Sequence, residues 1–368
     1  MSILLKDLYS IEFYQSFSNY TKEIIPNFDK KEFIYQIFVE NWQQKELKER
    51  MRHTTMVLHS FLSNDFKNAA QQIKEIIQLI QKQGNSHNHL PYLFFPDYVE
   101  NYGLENFKIS VEAMEFITPF ISCEFAVRPF IKKYDQLMLH KMQKWSLHPN
   151  HHVRRLASEG SRPRLPWAMA LPELKKNPTP ILPILENLKT DDSEYVRRSV
   201  ANSLNDIAKD NPEIVLSIAK KWRGTSKETD GIIKHGARTL LKQGNEEILS
   251  LFGLENNHKI IVSNFELDST KIKVGDYLFF SFLIENQSNK TGNIRLEYAI
   301  YFLRQNGQHT KKVFKITEKQ LKPNEKITIE RKQSFKPITT RKYYLGKQKI
   351  SIILNGKEKG EEWFELVG

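Results

Sequence analysis

Three stretches of the chain carry nearly the same phrase. His152-Val153-Arg154-Arg155 is followed by Ala157, Tyr195-Val196-Arg197-Arg198 by Ala201, and Ile233-Lys234 by Ala237-Arg238. Val153 and Val196 stand 43 positions apart, and Val196 and Ile233 stand 37 apart. A period near 40 with two helices per unit fits HEAT-type repeats, in which each helix pair buries one face on its neighbours and the stack offers a long concave surface. Helical spacing of apolar residues runs from residue 1 to about 256, as in FIYQIFVENW (33–42) and AAQQIKEIIQLI (69–80). Pro26-Asn27, Gly84-Asn85, His148-Pro149-Asn150 and Asn211-Pro212 read as connectors.

Beyond Asn256 the period changes from helical to two. VSNFELDS, YLFFSFLIEN, NIRLEYAIYFLRQ, KVFKITEK, KITIERKQSF and KISIILNGKE are short runs rich in Ile, Val, Phe, Tyr and Thr. Gly275-Asp276, Asn306-Gly307, Pro323-Asn324 and Asn355-Gly356 supply turns between them. Six or seven strands of this kind predict an immunoglobulin-like antiparallel β-sandwich over residues 258–368, after a helical solenoid over 1–255. The single cysteine, Cys123, rules out an internal disulfide and a cysteine-based zinc site, so the sandwich must hold by apolar packing.

The chain has 368 residues, 40% of them hydrophobic and 27% charged, which excludes a mostly disordered chain. No apolar run approaches the length of a membrane span, and Lys6 and Asp7 interrupt the N-terminal apolar stretch too early for a secretory signal. The expectation is a cytoplasmic protein without a membrane partner. The net charge is +12 and it is unevenly placed: residues 258–368 hold 21 Lys and Arg against 12 Asp and Glu, a net +9. A surplus of that size favours an anionic partner, nucleic acid above all. Lys311-Lys312, Arg331-Lys332 and Arg341-Lys342-Tyr343-Tyr344 are the basic pairs of the sandwich, read either as DNA contacts or as a solvated lysine-rich surface.

The most unusual segment is HHVRRLASEGSRPRLPWAMA (151–170). Its first half is helical, with Val153, Leu156, Ala157 and Gly160 on one face and Arg155 and Glu159, one turn apart, on the other. Pro163 and Pro166 then break the helix and stiffen a loop that carries Arg162, Arg164 and Trp167. Trp167 is read either as a functional aromatic or as core beneath an irregular connector. In the next repeat Arg198, Asn202 and Asp206 share a polar flank, with Val196, Val200, Leu204 and Ile207 as the buried arc. Glu124, in SCEFAVRPFI, has Arg128 four residues on; a carboxylate among Cys123, Phe125 and Val127 is costly unless paired or used. His148, His151 and His152, and likewise His87 and His89, show no metal-ligand spacing, and there is no Gly-rich phosphate loop, so neither metal nor cofactor is expected.

HHVRRLASEGSRPRLPWA, with DDSEYVRRSVANSLNDIAKDNPE after it, closely resembles the AlkC branch of the AlkD-like bacterial DNA alkylation-repair glycosylases. The resemblance implies a HEAT-like solenoid, in some members with an immunoglobulin-like C-terminal domain. It implies hydrolysis of the N-glycosidic bond of alkylated nucleotides: 3-methylcytosine and 1-methyladenine for the AlkC type, 3-methyladenine and 7-methylguanine for the AlkD branch. By the same resemblance Trp167 matches the active-site aromatic, Asp206 the catalytic aspartate, and Glu159 and Glu124 the further carboxylates. Arg155, Arg162 and Arg164 match basic positions near the lesion and its phosphates, and Arg197 and Arg198 join them as candidate DNA-binding residues. The implied partner is double-stranded DNA containing alkylated bases, bound by a monomer that is nucleoid-associated when on DNA. The sequence offers no deep pocket or plug residue, in keeping with a family that holds the lesion against the concave surface.

The chemistry suits these residue types. A cationic alkylated base leaves as a neutral molecule and needs little acid help. The charge that develops is on the sugar, as an oxocarbenium ion, and carboxylates aimed at it stabilise it and hold water. An indole face attracts a cation by about 0.5–2 kcal/mol. The competing readings are a non-catalytic HEAT-repeat binder of DNA structure and a scaffold for acidic protein partners.

Overall fold

The computed structural model describes residues 4–83, 89–255, 259–339 and 341–368. The Gly84-Asn85 connector, His87 and residues 256–258 at the expected domain junction lie outside these. Fifteen α-helices are described: α1 (Ile11–Ile24), α2 (Lys30–Ile37), α3 (Leu47–His59), α4 (Phe66–Lys82), α5 (Phe94–Tyr102), α6 (Phe107–Ile117), α7 (Val127–Trp145), α8 (His151–Gly160), α9 (Pro172–Lys176), α10 (Leu182–Leu188), α11 (Glu194–Ile207), α12 (Pro212–Trp222), α13 (Lys227–Gly236), α14 (Arg238–Gln243) and α15 (Glu246–Leu251). None is long and apolar enough to cross a membrane. Eight strands follow: β1 (Ile260–Leu267), β2 (Lys271–Lys273), β3 (Tyr277–Asn286), β4 (Gly292–Leu303), β5 (His309–Leu321), β6 (Lys326–Ser334), β7 (Gly346–Leu354) and β8 (Lys357–Val367).

The chain divides into two compact units, Met1–Val215 with Lys221–Gly236, and Leu216–Lys220 with Ala237–Gly368. By compactness α14 and α15 therefore group with the sheets.

The first two repeated phrases fall in α8 and α11 and the third begins in α13; these three helices of the first unit pack side by side in that order. Small residues allow the approach. Ser158 donates to Ser199 Oγ at 2.6 Å between α8 and α11. A Cβ on Gly236 would meet Leu204 Cβ at 2.7 Å, and one on Gly160 would meet Val127 Cγ2 at 2.5 Å. The apolar arcs read from the sequence are inside: Val153, Leu156, Ala157, Val196, Val200, Leu204 and Ile207 are all buried. In the first two phrases the first arginine secures the turn before its own helix. Arg154 Nη1 donates to the carbonyls of His148 and Pro149 at 3.0 and 2.8 Å, and Arg197 Nη1 to those of Asp191 and Asp192 at 2.6 and 2.9 Å. The repeat is thus a structural device as well as a sequence pattern: it satisfies orphan carbonyls ahead of a helix.

The second unit contains two sheets, β1-β3-β6 and β2-β8-β7-β4-β5. Alternate residues of β3 (Leu278, Phe280, Phe282, Ile284) and β4 (Ile294, Leu296, Tyr298, Ile300) share one apolar core. The Phe280 and Tyr298 rings meet across the two sheets with centroids 5.1 Å apart, and Tyr298 donates to Gln333 Oε1 at 2.9 Å. The sandwich is immunoglobulin-like, as expected, with one parallel pair, β2 on β8. These two strands escape the sequence pattern because β2 has three residues and β8, KEKGEEWFELV, is rich in charge.

Candidate active site

Six charged residues from three separate segments form one continuous chain. Glu124, in the turn before α7, accepts from Arg155 Nη1 and from Ser122 Oγ, the latter at 2.9 Å. Arg155 Nη2 lies 3.5 Å from Glu159 Oε1. The same oxygen accepts from Arg162 Nη1 at 2.6 Å, while Arg162 Nε donates to Asp206 Oδ2 at 2.9 Å. Lys209 ends the series on Asp206 Oδ1 at 3.1 Å. Local structure explains the order. Arg155 and Glu159 are one turn apart on α8, Arg162 lies just past its C-terminus, and Asp206 is on the next repeat helix.

The sequence paired Glu124 with Arg128 and placed Asp206 on the flank of Arg198. The structure corrects the first and gives Asp206 partners other than Arg198. Arg128, with no exposed surface, donates to backbone carbonyls instead: Nε to Met169 at 2.6 Å, and Nη1 to Gly160 and Arg162 at 2.8 Å each. The reason is position. Arg128 is already inside α7, pointing at the end of α8, whereas Glu124 is in the preceding turn, facing Arg155. Arg198 is exposed, while Asp206 is 2% exposed and taken by Arg162 and Lys209. Arg164 is also paired, through Nε and Nη2 to Asp210 at 2.9 and 2.6 Å.

Burial decides the electrostatics. Desolvation works against the Arg162 charge, but Glu159 and Asp206 outweigh it and hold its pKa above the usual arginine value. Arg128 lacks a bonded carboxylate, and burial together with the Arg162 charge lowers its pKa to about 10; it stays cationic at neutral pH. A buried ion network of this kind contributes little net stability, because desolvation offsets most of the attraction.

A cleft of about 300 Å³ opens beside the network, at the small end of the ligand-site range. Glu124, Arg155, Phe125, Tyr195 and Trp167 line it. Trp167 is 66% exposed and is therefore not a core residue beneath the loop. It sits at the third position of a turn in which the Ala168 N–H donates to the Leu165 carbonyl at 3.3 Å, with Pro166 second. Its φ is +65°, a value that this turn position ordinarily gives to glycine. Tyr195 was read from the sequence only as part of the repeat; here its ring lies 4.7 Å under the Arg155 guanidinium. Glu159 and Asp206 do not line the cleft; they stand behind Arg155 and Arg162. Sequence reasoning missed Lys209, which follows Asp206 at i+3, and Ser122, two residues before Glu124. Both spacings were available in the sequence.

Known proteins share this sequence pattern and fold. Residues 113–248 match the family described as DNA alkylation repair enzyme, and residues 261–368 match the one described as uncharacterised protein YhaZ, C-terminal Ig-like domain. The chain is 42% identical to YhaZ of Bacillus subtilis (strain 168) over 362 residues, covering 98% of this chain and 99% of that protein. The alkylpurine DNA glycosylase AlkC of Pseudomonas fluorescens, solved bound to DNA containing an abasic site analog, superposes over 100% of both chains with a TM-score of 0.93 at 34% identity. Repeat helices, sandwich and sequence thus agree, and the chain belongs to the DNA alkylation repair enzyme family, in its AlkC-type branch with a C-terminal immunoglobulin-like domain.

Proposed function

We propose that this protein is a monofunctional DNA glycosylase that hydrolyses the N-glycosidic bond of cationic alkylated bases, 3-methylcytosine and 1-methyladenine first and 3-methyladenine as a further substrate. The observation that carries the reading is the chain Glu124–Arg155–Glu159–Arg162–Asp206 beside a cleft lined by Glu124 and Trp167. Glu124 is the carboxylate of the chain that lines the cleft, where its charge can face a sugar cation. Glu124 reaches the cleft and is assigned to the sugar and its attacking water. Glu159 and Asp206 act from behind, held in place by the two arginines. Trp167 presents a π face to the charged base.

The arginines divide by environment. Arg155 and Arg162 keep the carboxylates at fixed separation. Arg164 and Arg198, nearer solvent, together with Arg197, are assigned to phosphates, where a guanidinium binds bidentately. The exposed Arg331, Lys332 and Lys336 extend the phosphate contacts onto the sandwich.

The test is a panel of duplexes each carrying one lesion, incubated with purified protein, with released bases separated by chromatography. Free 3-methylcytosine and 1-methyladenine support the reading. Tight, salt-sensitive binding with no released base means a DNA-structure binder. Absence of duplex binding leaves the protein scaffold.

A further inference from the structure

Five non-glycine residues among those described have positive φ: Asp135, Trp167, Asn264, Asn324 and Asn355. Four are Asp or Asn, whose short polar side chains tolerate the left-handed region; the fifth is an indole. A large side chain in that region is strained and persists where the surroundings over-determine it. Two cations do so here. Lys48, on α3, donates Nζ to the Trp167 carbonyl oxygen. Arg128, buried beneath the loop, binds the carbonyls of Gly160 and Arg162 at its start and of Met169 at its end. Between them Pro166 fixes the preceding φ, and the Leu171 N–H closes the loop on the Pro163 carbonyl at 3.2 Å.

We infer that Lys48 and Arg128 are positioning residues: they clamp the backbone on both sides of Trp167 and so set where its ring stands relative to Glu124 in the cleft. Lys48 also lines the cleft, and the role assigned to it is on the loop. The choice of side chains fits the task. Arg128 needs a rigid fork to reach three carbonyls that diverge from a helix end, which a lysine cannot supply. Lys48 needs length and one donor; its Nζ stands over the Phe125 ring, 5.0 Å from the centroid. The inference rests on the proposed excision activity for its kinetic test and on the loop geometry alone for its structural one.

The experiment pairs two readouts on the full-length protein. Lys48→Met is the main variant because Lys48 is exposed and its loss leaves the core intact; Arg128→Lys is the second. Hydrogen–deuterium exchange over residues 161–170 should quicken in both. Single-turnover excision from 3-methylcytosine DNA, measured at saturating protein, should fall about tenfold or more in Lys48→Met, since small misplacements in a site cost that much. In a Trp167→Ala background the same Lys48→Met change should cost less than about twofold, because the residue through which it acts is gone. An equal fall in both backgrounds overturns the inference, as does unchanged exchange at 161–170. If the parent protein excises nothing, the catalytic reading fails by itself and the exchange measurement still decides the clamp.

Discussion

Arg162 Nε lies 2.9 Å from Asp206 Oδ2, an ion pair that ties the loop after one repeat helix to the next repeat helix, 44 residues away in sequence. Both side chains are buried. Arg162 also holds Glu159 at 2.6 Å, so one guanidinium separates two carboxylates that would otherwise repel in a poorly solvated interior. Arg162→Met should therefore cost about 3–5 kcal/mol, the usual penalty for leaving buried charge uncompensated. Urea midpoints at constant slope measure this; a loss under about 1 kcal/mol would show that solvent reaches the carboxylates freely.

Much of this was legible beforehand, and the physical reasons are specific. Repeat helices announce themselves because Val153, Val196 and Ile233 recur with their flanking residues, and strands because β3 and β4 alternate cleanly. Candidate carboxylates were legible by resemblance to a family. Their partners were not. Local spacing favoured Glu124 with Arg128 and Asp206 near Arg198, since i to i+4 neighbours are all that a single helix offers. The observed bonds join residues 31 and 44 positions apart, which only packing can supply. Trp167 was open between core and site because proline spacing reveals a stiff loop but not which way its backbone turns.

Trp167 stability variants should reveal the strain. An exposed tryptophan at φ +65° is replaced without loss of packing, and glycine suits that backbone better than alanine. Trp167→Gly should be at least as stable as Trp167→Ala, reversing the ordinary order in which glycine is worse by about 0.5–1 kcal/mol. Thermal denaturation of the two variants decides it.

Glu100 gives a pH dependence with a definite sign. Burial and the neighbouring Asp97 charge raise its pKa to about 7, against the opposing pull of Arg52 and Lys48. The folded state then keeps a proton that the unfolded state has released, so stability is greatest below the ordinary carboxyl pKa and falls as pH rises towards about 7. Glu100→Gln should flatten that decline and stabilise the protein at pH 8 by up to about 3 kcal/mol. Chemical denaturation at pH 5 and pH 8 measures it; equal gains at both pH values would mean that Glu100 is not protonated in the fold.

Salt dependence tests the sandwich. Lys332 stands 4.6 Å over the Tyr277 ring and Lys336 5.3 Å from it, a basic-aromatic surface on the outer face of the three-stranded sheet. If Arg331, Lys332 and Lys336 each neutralise one phosphate, changing all three to Gln should lower the slope of log affinity against log salt by about 2–3. An unchanged slope removes these three residues from the DNA contacts.

Glu159 and Asp206 are the most deeply buried carboxylates of the chain, and their role in the chemistry is the central claim of the proposed function. Single-turnover excision of 3-methylcytosine from duplex DNA, measured for the parent protein and for Asp206→Asn, tests it most directly. The expected result is abasic DNA from the parent and a rate lower by about 100-fold in Asp206→Asn, on the order of 3 kcal/mol, with affinity for abasic DNA retained. Equal rates in the two proteins, or no abasic site from the parent, would contradict it.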